Sequence, residues 1–174
     1  MGTGRVRIRA RGPDDVDRRL IGELARLHGE ALDAGMALGA TVDTDLEDLH
    51  RTALADGDRV LVVAERADEV VGMAQLVPST AANARHRAEV QRVAVAADAR
   101  GTGVGRELMQ VLEDVARARG LTLLWLTTHE GSDACAFYEA VGYTKLGVMP
   151  EYSERPNGEL ADGAFYCKVL RGSS

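Results

Sequence analysis

The feature that most constrains this 174-residue chain is a run of three glycines at alternate positions, 101, 103 and 105, in the segment ARGTGVGREL. An apolar stretch with strand character, EVQRVAVA at 89–96, comes just before it, and helical spacing of apolar residues from Val104 onward follows it. A strand that passes through a glycine turn into a helix directs several backbone N–H groups, and the positive end of the helix dipole, at one point. The segment therefore predicts a binding site for an anion, usually a phosphate.

The rest of the chain predicts one mixed α/β domain over residues 1–174. Strands are predicted where apolar residues alternate or run together, at 5–10, 59–77 (a hairpin with a tight turn at 67–69), 89–96, 121–128, 143–149 and 163–170. Helices are predicted at 16–27, 44–54 (with Thr44 as N-cap), from 104 to a stop at Gly120, and at 132–142 (with Ser132 or Asp133 as cap). The apolar run at 121–128 is typical of a strand buried on both faces, and the glycine-rich segment 28–45 predicts a helix end and a mobile loop.

Composition excludes several classes of protein. The net charge of −6 argues against a nucleic-acid partner, because phosphate backbones are bound by basic surfaces. Cys135 and Cys167 are too few for a disulfide framework and lack the spacing of metal ligands. The N-terminal segment has no apolar core of a secretory signal, and no apolar run approaches the ~20 residues of a membrane span. We therefore expect a cytoplasmic protein with no metal, no membrane contact and no nucleic-acid partner.

Two common phosphate-binding motifs do not match the glycine run. A Walker loop ends in Gly-Lys-Ser/Thr, and this segment contains no lysine. The dinucleotide fingerprint requires a third glycine at position 106, where the chain has Arg106, and it normally lies near the start of a βαβ unit. The spacing therefore requires a different kind of phosphate site.

The run resembles the pyrophosphate-binding motif Arg/Gln-x-x-Gly-x-Gly/Ala of the GNAT superfamily of acetyl-CoA-dependent N-acetyltransferases, matched here by Arg100, Gly103 and Gly105. A second motif of that superfamily, aromatic-Tyr-x-x-x-Gly-aromatic, is matched by FYEAVGY at 137–143. The order of the predicted elements also agrees from end to end. The resemblance implies a GNAT fold, with a central mixed but mostly antiparallel sheet of roughly six to seven strands, a splayed parallel pair and about four flanking helices.

The same resemblance implies a site for acetyl-CoA. Its pyrophosphate is expected on the backbone amides of Gly101, Thr102, Gly103, Val104, Gly105 and Arg106, with Arg100 and Arg106 adding positive charge. Its pantetheine arm is expected along the backbone of Val93, Ala94 and Val95, where the strand bulges and splays from its neighbour. An N–H group left unpaired by the splay would stabilise the oxyanion. Many members have an asparagine after the next strand; here Ser132 or Asp133 takes that place, or the contact is absent.

The resemblance also implies two catalytic roles. Tyr138 matches the hydroxyl that lies near the sulfur, and a phenol with an ordinary pKa of ~10, against ~8.5 for a thiol, donates a proton or hydrogen bond to the leaving thiolate. Glu89 matches a carboxylate that takes the proton of the amine, directly or through water; the alternative is a carboxylate at the rim that moves no proton. His129 and Glu130, at the end of the next strand, are competing bases.

The geometry around Glu89 depends on its strand. If the strand is regular, Glu89, Gln91 and Val93 share one face, and Arg92 points to the opposite one.

The acceptor is expected to be a primary amine of a small molecule. The segments LDAGMALGA and GVMPEYSERPNGELADGAFYCKVL resemble the subgroup that contains the tabtoxin resistance acetyltransferase, which implies an amino-acid-like metabolite, toxin or antibiotic. Acidic residues at 33, 43, 45, 47 and 48 predict either an acidic mouth that attracts a cationic amine or a solubilising surface. A protein lysine or N-terminal acetyltransferase and a non-catalytic acetyl-CoA-binding module stay open as alternatives. Homodimers are frequent in this superfamily, so a homodimer is possible, although the sequence itself is silent on it.

Overall fold

A computed structural model describes residues 5–36, 38–55 and 57–170. Its strands are β1 (Arg7–Arg11), β2 (Val60–Arg66), β3 (Glu69–Pro78), β4 (Arg87–Val95), β5 (Leu123–His129), β6 (Thr144–Glu154) and β7 (Leu160–Val169). Its helices are α1 (Arg18–Asp33), α2 (Leu46–Ala55), α3 (Val104–Ala118) and α4 (Asp133–Ala140), with single 3-10 turns at Pro13–Asp15 and Ala97–Ala99. Two parts of the predicted chain lie outside the described residues: the ends of the predicted domain (1–4 and 171–174) and position 37 of the predicted loop.

The strands form one seven-stranded sheet in the order β1-β2-β3-β4-β5-β7-β6. Every neighbouring pair is antiparallel except β4 and β5, which are parallel. That parallel pairing is short: it joins Arg87–Glu89 to Leu123–Trp125 and goes no further. Beyond Glu89 the two strands diverge and leave a gap. The predicted mixed sheet with a splayed parallel pair and four flanking helices is confirmed.

Helices cover both faces of the middle of the sheet. Strand β3 is buried at every position from Val70 to Leu76, which requires cover on both sides because successive side chains of a strand point to opposite faces. Helix α1 packs against β3 and β4 and contacts α2, whereas α3 packs against β1, β2 and β3. In the described part of the chain, no helix combines the length and the apolar character needed to cross a membrane.

Strand β4 contains a bulge, as the family resemblance implies. Gln91 lies opposite Gln75, but the next matched pair is Ala94 with Met73, so that two β4 residues, Arg92 and Val93, lie opposite one residue of β3. Arg92 has a φ of 50° in the left-handed region, as a bulge of this kind requires. The condition of a regular strand, under which Arg92 would point away from Glu89, is therefore not met. The Arg92 side chain reaches the Oε1 atom of Gln75 and lies on the same face as Gln91.

Three other elements differ from the predicted ones. Helix α1 continues to Asp33 because Ala31 and Leu32 are buried and extend its apolar face. Helix α2 is capped by Asp45, whose Oδ1 atom accepts from the amide of Asp48, and not by Thr44. Strand β5 alternates between buried and partly exposed positions instead of being buried on both faces, because its second half borders the gap.

Candidate active site

The turn that leads into α3 requires glycine for its backbone conformation. Gly101 and Gly103 have φ angles of 73° and 93°, and Gly103 is the N-cap residue of α3. A Cβ atom at either position would meet no atom within 4 Å. The side of the turn away from the core is therefore open. Thr102 fixes the turn from within, because its hydroxyl donates to the carbonyl of Ala99 at 2.7 Å.

Backbone amides 101 to 106 form a set of free donors. Within the ranges that the structure describes, none of them donates to a backbone or side-chain acceptor, and the first amide in use is that of Glu107, which bonds to the carbonyl of Gly103 at 3.0 Å. Consecutive free N–H groups at the N-terminus of a helix bind anions. The arrangement therefore fits a pyrophosphate group.

Two arginines flank these amides. Arg100 donates through Nε to the carbonyl of Val95 at 2.9 Å, and Arg106 is exposed on the first turn of α3. Neither has an ion-pair partner among the residues that the structure describes. Both positive charges are therefore left for an anion bound at the turn.

Gly105 differs from the other two glycines of the motif. It lies inside α3, and a Cβ atom there would be 3.2 Å from Cε2 of Phe137 and 3.6 Å from Cγ2 of Val95. Phe137 belongs to the second sequence motif, on α4. The first turn of α3, the end of β4 and helix α4 consequently meet at the open end of the gap between β4 and β5.

The end of β4 is bound to the sheet on one edge only. Ala94 and Val95 lie opposite Met73 and Gly72 of β3, whereas their other edge faces the gap, with no strand partner within the described chain. Val93 and Val95 are partly exposed there. Val95 also borders a small hollow of about 70 Å³ that continues to Arg100. This free edge fits the role expected for residues 93–95.

Tyr138 projects into a cluster of aromatic rings. Its ring centroid lies 5.3 Å from that of Phe137, 5.9 Å from that of Tyr143 and 6.1 Å from that of Tyr166. Its hydroxyl has no hydrogen-bond partner in the described part of the chain. Burial, and to a smaller extent the neighbouring Cys135, raises the pKa of Tyr138 above its ordinary value. The phenol therefore stays protonated at neutral pH and is available as a hydrogen-bond donor.

Glu89 occupies the last paired position before the gap. It lies opposite Val77 on β3 and opposite Trp125 on β5. Burial raises the pKa of its carboxyl above the ordinary 4.5, against the lowering effects of Gln91, Arg59 and Arg92. A carboxylate with a raised pKa is a stronger base than an exposed one, so its environment suits the role predicted for it.

A buried polar cluster adjoins Glu89, and the sequence analysis missed it. Gln75 is fully buried, and its Oε1 atom accepts from Nη1 of Arg92 at 2.9 Å and from Nη1 of Arg59 at 3.3 Å. The same Arg59 nitrogen donates to Oε1 of Gln91 at 3.0 Å. The one sequence signal was the pair Gln91-Arg92, which interrupts the alternation of an otherwise apolar strand.

The competing bases are engaged elsewhere. Nε2 of His129 lies 3.1 Å from the hydroxyl of Ser153 on β6, and burial lowers the pKa of this histidine. Glu130 forms an ion pair with Lys145 at 2.7 Å. Neither belongs to the polar cluster beside Glu89.

Ser132 holds the N-cap position of α4 without a side-chain capping bond. Its hydroxyl instead donates to the carbonyl of His129 at 2.7 Å, which leaves its oxygen as an acceptor. Asp133 is the first residue of α4. It stays a prediction that Ser132 or Asp133 takes the place of the asparagine that many family members have after β5.

The acidic residues do not form one mouth. A cleft of about 470 Å³ lies between the end of α1 and the β6–β7 turn, and its lining residues are Leu32, Asp33, Gly35, Arg155, Pro156, Asn157 and Glu159. Asp45 caps α2, while Glu47 and Asp48 pair with Arg51 at 3.7 and 3.2 Å. Only Asp33 of the predicted acidic set borders this cleft.

Comparison with known proteins identifies the family. Residues 29–143 match the model of the acetyltransferase (GNAT) family. The chain belongs to this family. Within the described ranges of this GNAT protein, no group of three or more His, Cys, Asp or Glu side chains is arranged to hold a metal ion.

Individual relatives share parts or all of the fold. N-alpha-acetyltransferase 80 of Mus musculus is 47% identical over 74 residues, which are 42% of this chain and 22% of that protein. This GNAT chain therefore spans about a fifth of the length of that relative. Ribosomal-protein-alanine N-acetyltransferase from Brucella melitensis is 28% identical, with a TM-score of 0.78 over 94% of this chain and 99% of that one.

A second similar structure contains the expected cosubstrate. It is yncA from Salmonella typhimurium, solved with acetyl-CoA, which is 20% identical with a TM-score of 0.78 over 97% of this chain and 96% of that one. At that identity the likeness concerns the fold alone.

Proposed function

We propose that this GNAT chain transfers the acetyl group of acetyl-CoA to a primary amine. The observation that carries the proposal is the set of free amides 101–106, placed where β4 and β5 separate. A free donor set next to an open strand edge suits a long ligand that has a diphosphate at one end and a reactive group at the other. The family to which the chain belongs supports the same conclusion.

The ligand-binding roles follow from the free groups. Amides 101–106 with Arg100 and Arg106 would hold the pyrophosphate, and the open edge of β4 at Val93–Val95 would hold the pantetheine arm. Ser132, the N-cap residue of α4, would contact the arm. When bound, acetyl-CoA supplies an activated thioester. No metal is required for such a transfer, because the thioester is already activated.

The catalytic roles follow from the two perturbed groups. Glu89, with its raised pKa, accepts the proton that the amine loses during direct attack in a ternary complex. Tyr138, whose pKa is also raised, supplies a proton or hydrogen bond to the departing thiolate. A free N–H group of β4 beside the gap stabilises the negative oxygen that develops on the acetyl carbon.

The acceptor proposed is a small amino-acid-like amine, as the tail segments suggest through their likeness to the tabtoxin resistance subgroup. An N-terminal acetyltransferase is the second candidate, because two similar proteins are named as acetyltransferases of protein N-termini or of a ribosomal protein. A non-catalytic module is disfavoured, since a binding function alone does not require the hydroxyl of Tyr138. A homodimer stays a prediction.

The test is a thiol-release assay with acetyl-CoA and two acceptor panels, one of small amines and one of short peptides with free N-termini. Isothermal titration of acetyl-CoA into the protein is run alongside. We expect micromolar-range binding and turnover with members of the first panel. Binding without turnover on either panel would indicate the non-catalytic module, and no binding would refute the proposal.

A further inference from the structure

The guanidinium of Arg92 is incompletely compensated by the protein. Nη1 donates to Oε1 of Gln75 at 2.9 Å, and this is its one hydrogen bond in the described part of the chain. Its Nε atom is buried and has no hydrogen-bond partner there. No carboxylate among the described residues lies within ion-pair distance of it. Buried arginines are normally paired, so the position calls for an acceptor that the protein itself does not supply.

Gln75 adds a second buried donor that has no hydrogen-bond acceptor among the described residues. Its side chain is fully buried, and its Oε1 atom is already shared by two guanidinium groups. Its Nε2 atom is buried and lacks an acceptor among the described residues. Unsatisfied buried donors destabilise a fold. The cluster therefore has more donors than acceptors, and the partly exposed remainder of the Arg92 guanidinium is the part of it that a ligand can reach from solvent.

The charges around Arg92 favour an anion. Burial, together with the positive charge of Arg59, lowers the pKa of Arg92 to about 10, and Glu89 opposes this shift only in part. The nearby histidines add no negative charge: burial lowers the pKa of His50 to about 3, and its partner His28 contacts it at 3.2 Å. Among the residues that the structure describes, Glu89 is the one carboxylate that acts on Arg92.

Geometry puts Arg92 and Glu89 on one side of β4. The bulge turns Arg92 to the face that carries Gln91 and Gln75, and Glu89 is two residues before Gln91 on that face. Glu89, Gln91 and Arg92 are partly exposed, whereas Val90 and Ala94 are buried. The three polar side chains are therefore partly accessible to solvent on one side of β4.

Resting on the proposed function, we infer that Arg92 binds a carboxylate of the acceptor, and that the acceptor is a free amino acid or a similar small amine that carries a carboxylate. The amine lies at Glu89 and the carboxylate at Arg92. In the transfer, the nitrogen–carbon bond forms and the carbon–sulfur bond breaks. The amine proton passes to Glu89, Tyr138 stabilises the thiolate, and the carboxylate of the acceptor is unchanged.

The experiment compares acids with matched amides. Three mixtures are presented to the protein: the twenty amino acids, the corresponding amino acid amides, and a set of short peptides with amidated C-termini. The acetylated products of each mixture are quantified by mass spectrometry. We expect the free acids to be acetylated at least about tenfold faster than the amides, because an ion pair with a partly buried guanidinium is lost in the amides. Equal or faster acetylation of the amides or peptides would overturn the inference.

Variants of Arg92 connect the preference to this residue. Arg92→Gln is expected to remove the preference for acids over amides, and Arg92→Lys to restore part of it through its charge. Arg87→Gln, an exposed arginine at the start of the same strand, is the matched control and leaves the preference unchanged. A preference that survives in Arg92→Gln would contradict the assignment.

A binding measurement separates this inference from the proposed function. Trp125, the single tryptophan of the chain, lies next to Glu89 in the β4–β5 pairing, and its fluorescence is titrated with the most reactive amino acid and with its amide in the presence of coenzyme A. Tighter binding of the acid to the original protein than to Arg92→Gln supports the inference. Binding and turnover of acetyl-CoA with amines that lack a carboxylate would leave the acetyltransferase function intact and refute the Arg92 subsite. Absence of acetyl-CoA binding would refute the proposed function itself.

Discussion

Gly105 and Phe137 are in direct contact, and each belongs to a different motif. A Cβ atom at Gly105 would lie 3.2 Å from Cε2 of Phe137 and 3.4 Å from Cζ, which is closer than carbon atoms normally pack. Gly105 has an ordinary helical backbone, so the close approach of α4, and not a left-handed turn, explains why glycine suits this position. The contact holds the helix that carries Tyr138 against the end of the turn that carries the free amides.

Gly105→Val is therefore expected to destabilise the protein by about 1–3 kcal/mol, the cost of inserting carbon atoms into a packed site. Urea unfolding measures the change. Gly22→Val in α1 is the matched control, because a Cβ atom at Gly22 meets nothing within 4 Å, and there valine is neutral or slightly favourable relative to glycine. Combining Gly105→Val with Phe137→Leu should recover part of the loss. Equal effects of the two valine substitutions would rule out the packing role of Gly105.

Gly103→Glu is expected to abolish acetyl-CoA binding without unfolding the domain. The side chain would project a negative charge into the open space in front of the amides, and the left-handed backbone adds about 1–2 kcal/mol of strain. Gly120→Glu is a close control: Gly120 follows the other end of α3, its φ is 76°, and its Cβ would also meet open space. Calorimetry should show loss of binding for Gly103→Glu alone, with similar unfolding free energies for both variants. Comparable losses of affinity in both would exclude a local role of the turn.

Tyr138→Phe is expected to lower kcat by at least about tenfold with little change in the affinity for acetyl-CoA, because it removes the proton donor and keeps the ring packing. Tyr143→Phe tests a neighbouring ring of the same cluster. The hydroxyl of Tyr143 is buried and has no hydrogen-bond partner in the described chain, so its removal should leave kcat unchanged and stability equal or higher. Undiminished turnover of Tyr138→Phe would remove this residue from the mechanism.

Local signals predicted most of the framework. The glycine turn, the amphipathic α3 and the hairpin of β2 and β3 depend on residues close together in sequence, and each was placed to within a few residues. The end of α1 was missed because Ala31 and Leu32 are recognised as core only once the sheet below them is known. The two halves of β5 differ in burial for a similar reason, since the gap that exposes the second half is produced by another strand.

The surroundings of Glu89 could not be predicted from the strand alone because they depend on distant pairing. A bulge in β4 is defined by its register with β3, and the partners of Arg92 and Gln91 are 17 and 32 residues away in sequence. A single extra residue reverses which side chains share a face. The strand alone therefore predicted Arg92 on the face opposite Glu89, whereas the sheet brings them to the same side.

The proximity of Arg92 to Glu89 has a measurable consequence for the pH dependence of catalysis. A base works only when it is deprotonated, so kcat/KM should fall as pH drops through the pKa of Glu89, which burial places above the ordinary 4.5. The positive charge of Arg92 lowers this pKa in part. Arg92→Gln should therefore move the acidic limb of the profile to higher pH, while Arg92→Lys and Arg87→Gln should leave it near its original position.

The same profile discriminates between the competing bases. The acceptor must be identical in all variants, so that the titration of its own amine contributes equally to each curve. Glu89→Gln should remove the acidic limb that Arg92→Gln displaces and lower kcat/KM by about 10²-fold or more. His129→Gln should change neither the limb nor its displacement, because His129 is hydrogen-bonded to Ser153 on β6 and is not part of the cluster around Arg92. The acidic limb disappears only when the titrating group itself is removed. If the limb disappeared in His129→Gln and persisted in Glu89→Gln, the base would therefore be the histidine.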